Sequence, residues 1–186
     1  MHIFKNLFLS LFVAICCISL ALSTASCSND DDNNDPSEPI TDVSARFRVT
    51  ISVSEGLRDL YRLYVTFVEP DGTMGKKKLL TEPINSFDFT FSEFPVKVGY
   101  RLSMEFLYGA DTNSKDFSFT VNDGIVAFDS KGDERTLIPM SGIHSDYALT
   151  GNLASWYENF KAAWDGAGAS YTIGNGSDGH LNAYIE

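Results

Sequence analysis

From Ala45 to Val53 apolar and polar residues alternate without a break. Ala45, Phe47, Val49, Ile51 and Val53 fall on one side of an extended chain, and Arg46, Arg48, Thr50 and Ser52 fall on the other. Successive side chains of a strand point to opposite faces, so this spacing predicts a strand with one face buried and one face wet. The pattern recurs in Leu63, Val65 and Phe67, then in Phe87, Phe89 and Phe91, then over a longer run from Val98 to Tyr108, then in Phe117, Phe119 and Val121. Breakers separate these runs. Ser54-Glu55-Gly56 ends the first strand, and Pro70-Asp71-Gly72 is a turn by its chemistry, since Pro presets φ and Gly accepts positive φ. Asn122-Asp123-Gly124 predicts a hairpin leading into Ile125–Phe128, and Arg135–Met140 reads as a weaker strand broken at Pro139.

One segment departs from period two. Leu153, Trp156, Tyr157, Phe160, Ala163 and Trp164 recur at helical spacing, and Gly166 stops the run. Beyond it, Ser170–Ile173 and Leu181–Ile185 predict a last hairpin. Short alternating strands, turn residues between them and a single helix near residues 153–165 predict a mainly β fold. The expected form is one antiparallel β-sandwich, immunoglobulin-like or transthyretin-like, over residues 45–186.

The region before the first strand has a different character. Lys5 is followed by an almost wholly apolar run from Leu7 to Leu22 and then by small residues up to Ser26. Charge, apolar stretch and small-residue region are the three parts of a secretory leader, so residues 1–26 are expected to be removed. All 25 acidic residues lie beyond that point, against 14 basic residues in the whole chain, for a net charge of −11. Such a chain is repelled by nucleic-acid phosphates. Residues 27–44, rich in Asp, Asn, Ser and Pro, are expected to be an acidic, disordered tether. Cysteines occur only at 16, 17 and 27, so the folded domain holds no disulfide and no thiolate metal site.

Small residues followed directly by cysteine, here Thr24-Ala25-Ser26-Cys27, resemble the lipobox of bacterial lipoproteins, with Thr24 where the pattern prefers Leu. The resemblance implies that Cys27 is the lipid attachment site and that acyl chains of the palmitate kind hold the mature chain to the outer membrane. Ser28, Asn29, Asp30, Asp31 and Asp32 follow at once and resemble the acidic export signal of surface lipoproteins from Bacteroidota-type bacteria. That resemblance implies display on the cell exterior; the alternative is a plain acidic linker. Ile138-Pro139-Met140-Ser141-Gly142 resembles a segment of fimbrillin-like β-sandwich lipoproteins, in which an arginine-specific protease trims the first strand. Arg46 and Arg48 are candidate cleavage sites by position; the alternative is that they form the outward face of strand one.

Few constellations carry chemistry. Gly174-Asn175-Gly176-Ser177-Asp178-Gly179 spells G-x-G-x-x-G, but seven residues remain after it, too few for the helix and strand of a dinucleotide site. The same loop lacks the spaced carboxylates of a calcium loop. His144 and His180 have no second ligand at zinc spacing, so no metal or other cofactor is expected beyond the covalent lipid. Trp156 and Trp164 are candidate ligand contacts, as a platform for a glycan or peptide; the alternative is a helix packing its aromatic face onto an open end of the sandwich. Lys76-Lys77-Lys78 is either a contact patch for an acidic partner or a guard on a sheet edge. The expected function is a non-catalytic binding or scaffold module of the cell envelope, with a glycan or an envelope protein as partner. A fimbrial subunit or anchor is the first alternative and a small surface hydrolase the second.

Overall fold

The computed structural model describes residues 41–107, 117–147 and 153–186; the side chains of residues 146–147 and 153–156 also lie outside the description. The elements run β1 (Asp42–Val53), α1 (Glu55–Leu60), β2 (Tyr61–Phe67), β3 (Lys78–Leu79), β4 (Ile84–Phe91), β5 (Val96–Phe106), β6 (Phe117–Asp129), β7 (Glu134–Tyr147), α2 (Leu153–Trp164), β8 (Gly168–Asn175) and β9 (Leu181–Ile185). They form two antiparallel sheets, ordered β4-β1-β6-β7 and β3-β2-β5-β8-β9. The protein is mainly β, a sandwich as the alternation predicts.

The alternating residues meet between the sheets. Phe47, Val49, Ile51, Phe119, Val121 and Ile125 from the first sheet face Leu63, Val65, Val98, Leu102 and Ile173 from the second, and each is at most 3 % exposed. Burying a side chain of this kind contributes about 1.5–3 kcal/mol, so this layer is the main source of stability. β1 lies inside its sheet, paired along its length with β4 on one side and β6 on the other. It starts at Asp42, so residues 42–44 belong to the sheet and not to the tether.

Two helices, not one, occur among the described residues. The first replaces the expected break. Ser54 takes extended φ/ψ at the N-cap of α1, and its hydroxyl accepts hydrogen bonds from the backbone N–H of Leu57 and of Ser118. One turn later Leu57 and Leu60 are fully buried, so a capping residue and an i, i+3 apolar pair outweigh the glycine at 56. α2 closes the same end. Phe160 and Trp164 are buried, Trp164 edge-on to Phe119 at 4.8 Å, and Tyr157 stacks on Tyr61 at 5.6 Å.

The predicted hairpin at Asn122-Asp123-Gly124 is a correction: β6 runs straight through these residues. Its partner β7 carries extra residues at two places, where the register shifts between Asp123 and Ile125 and again between Ile125 and Val126. Gly124 is needed for close approach, since a Cβ there would lie 2.9 Å from the Met140 Cα. The reversal comes later, where Asp129 accepts the backbone N–H of Lys131 and Asp133 and Gly132 turns at φ +88°. Pro139 does not end the following strand. β7 continues to Tyr147, because an edge strand tolerates a missing N–H and a bulge.

Candidate binding groove

At one long seam the sandwich stands open. β4 is an edge strand, and opposite it the second sheet ends in β3, which is two residues long. The inward row of β4, Phe87, Phe89 and Phe91, is therefore only half buried. Phe67 of β2 completes the floor, with its ring centroid 4.8 Å from that of Phe87 and 4.7 Å from that of Phe89. The loop after β2 brings Pro70 and Met74 over the same space, which amounts to about 680 Å³.

The rim is cationic. Lys78 places Nζ at 5.4, 5.7 and 5.9 Å from the ring centroids of Phe67, Phe87 and Phe89, and Lys76 lies on the same wall. Ammonium groups at that range are held by the ring quadrupoles. Neither lysine has a carboxylate at ion-pair distance among the described residues. Glu69 is the carboxylate among the lining residues, and the lining has no side-chain hydroxyl or amide. Lys77 instead sits over Tyr64 at 5.6 Å.

The opposite seam is shut by polar groups. The Asp42 carboxylate, 3 % exposed, accepts hydrogen bonds from Arg135 of β7 and from Leu181 N of β9 at 2.7 Å. The same Arg135 Nη2 donates to the Leu181 carbonyl at 2.6 Å, and His180 Nδ1 lies 3.5 Å from Asp42. Burial pushes the Asp42 carboxyl up, but the hydrogen bonds from Arg135 and Leu181 and the Arg135 and His180 charges outweigh it and hold the group below its usual range. Between the sheets, Asp123 occupies a core position on β6 and accepts a hydrogen bond from Tyr171 of β8 at 2.5 Å. Burial pushes its carboxyl above the ordinary value, against the pull of the Tyr171 hydroxyl and of its own backbone N–H.

Two other hollows are smaller. One, about 210 Å³, lies on the outer face of the first sheet by Arg46 and Arg48. There Arg48 is bonded to Asp88 at 2.8 Å and Arg46 covers the Phe128 ring at 4.7 Å. Both arginines thus stand on the outward face of a strand paired on both sides. The other, about 370 Å³, has its lysine already engaged, Lys97 with Glu186 at 2.9 Å.

Cys27, Ser28, Asn29, Asp30, Asp31 and Asp32 lie outside the described residues, as does the side chain of Trp156. Trp164 is 6 % exposed, which matches the packing alternative and leaves no face for stacking a ligand. His144 and Thr120 share a hydrogen bond at 2.5 Å, and His180 lies in the shut seam beside Asp42. The residues 174–179 form the end of β8 and its turn into β9, where Asp178 accepts the His180 N–H. Sequence reasoning placed Phe87, Phe89 and Phe91 on a strand but missed the groove, because nothing local says that β4 is an edge or that its opposite strand is two residues long. The lysine run at 76–78 was the available signal.

No family model, no curated protein and no solved structure matches this chain.

Proposed function

We propose that this chain is a lipid-anchored module displayed on the outer membrane, and that it binds rather than transforms its ligand, at the groove between β4 and β3. The open aromatic floor is the observation that carries the reading. A sandwich that leaves three phenylalanines half covered at one edge forgoes stability that a ligand restores on binding. The reading is also supported by the carboxylates of the domain, several of which are engaged in tying elements together: Asp42 to β7 and β9, Asp123 to β8, Asp165 to Lys161 and the Met104 N–H. The anchor rests on Cys27 and the acidic residues after it.

Two measurements test the halves separately. Labelled palmitate should enter the protein in cells and should not enter Cys27→Ser; label retained in the variant refutes the anchor. Dodecanol, an uncharged apolar probe, should shift the Met74 ε-methyl resonance saturably, and Phe89→Ser should abolish the shift. A Met74 signal indifferent to dodecanol refutes the groove as a binding site.

A further inference from the structure

We infer that the groove selects an anionic amphiphile, an aliphatic or aromatic body ending in one carboxylate. The inference rests on the binding reading above and adds the class of ligand. The groove offers two unlike surfaces. Its floor is Phe67, Phe89, Phe91 and Met74, with no hydroxyl or amide to satisfy a sugar's ring of hydroxyl groups. A neutral glycan would leave its polar groups unpaired there, at a cost that the stacking faces do not repay.

Its rim holds Lys76 and Lys78, both exposed and both without an acidic partner among the described residues, in a chain of net charge −11. Cations left unpaired on an acidic domain, beside apolar rings, are complementary to an anion with an apolar tail. Glu69 opposes this with one negative charge at the rim, so the site fits a single carboxylate better than a polyanion. The Lys78 ammonium now rests over three rings. A carboxylate would draw it outward and free the ring faces for the tail, so head and tail are recognised together. The volume of about 680 Å³ lies within the usual range for small-molecule sites, roughly 300–1,000 Å³.

The test compares dodecanoate, dodecanol and butyrate, below micelle-forming concentrations, against the purified full chain carrying ¹³C-methyl methionine. Met74 reports the groove, while Met104 in the core and Met140 on β7 serve as references. Dodecanoate should bind about fivefold more tightly than dodecanol at low salt, the gain expected from two exposed ion pairs. The preference should fade at high salt and disappear in Lys76→Gln/Lys78→Gln, whose changes lie on the surface and spare the fold. Equal affinity for dodecanoate and dodecanol overturns the ligand class but leaves the groove a binding site. Butyrate binding as well as dodecanoate overturns it too, because the tail would then contribute nothing. A Met74 resonance that none of the three shifts overturns both readings.

Discussion

Where β7 meets β9, an Arg135–Asp42 ion pair and the hydrogen bonds of both residues to the Leu181 backbone close the sandwich; where β4 faces β3 and β2, half-buried phenylalanines and lysines with no acidic partner among the described residues leave it open. Both are edges of the same two sheets. The shut seam is specific, since the Asp42 carboxylate, the Arg135 Nη2 and the Leu181 backbone meet in one geometry. The open seam is permissive, since apolar surface accepts any apolar cover. The difference places stability at one edge and adaptability at the other.

The largest expected effect comes from breaking the shut seam. Arg135→Met keeps the length of the side chain but leaves the buried Asp42 carboxylate without its cation. Breaking a buried pair costs about 3–5 kcal/mol, and Arg135 is 41 % exposed, so solvent screening reduces the loss to about 2 kcal/mol. Urea midpoints at neutral pH measure it, and the loss should shrink as acid protonates Asp42. A cost no greater than that of a change at the open seam would erase the contrast between the edges.

The second prediction concerns the polar pair between the seams. Asp123 binds its proton more tightly folded than unfolded, where the value is about 3.9. Its contribution is therefore complete below that value and is lost as pH rises through the raised folded value. Asp42, Asp165, Asp178 and Glu186, the last held down to about 2 by Lys97 and Thr172, behave oppositely. Their contribution is complete above the unfolded carboxyl range and is lost as pH falls through the lowered values. Asp123→Asn keeps an acceptor for the Tyr171 hydroxyl without a charge, so its stability relative to wild type should rise with pH from about 4 upward. A constant gap across a series of urea melts at different pH values would show that Asp123 does not titrate in this way.

The smallest effect belongs to the open seam. Lys78→Gln removes an exposed cation–π contact worth about 0.5–1 kcal/mol and leaves the Phe67 and Phe89 packing intact. Thermal unfolding should show a loss of at most that size. A larger one would mean that Lys78 seals the edge rather than guards an entrance.

Alternation made the core legible: β1, β2, the inward row of β4 and most of β5 and β8 can be read from one period. Residues at which two rules compete were misread. Asn122-Asp123-Gly124 has the chemistry of a turn, but Val121 and Ile125 on either side both belong to the core, and continuity of the strand prevails. Ser54-Glu55-Gly56 has the chemistry of a break, but Leu57 and Leu60 need burial and the chain makes one capped turn to provide it. The Arg135 seam was not legible, and of the groove only the lysine run at 76–78 was, because both depend on which strands become edges. That is set by pairing between residues as far apart as 42 and 181, and no local pattern encodes it.

Asp42 has one consequence for mechanics. Any pull transmitted through the chain before Thr41 enters the fold at this residue. It meets a strand bonded on both sides and a carboxylate bound to β7 and to β9, so the load is shared by both layers from its first point of entry. Tension directed along β1 strains many ladder bonds in parallel rather than opening them one after another. A domain held at that corner resists being drawn out from its first strand, and the pull reaches the groove only through the ladder that joins β1 to β4.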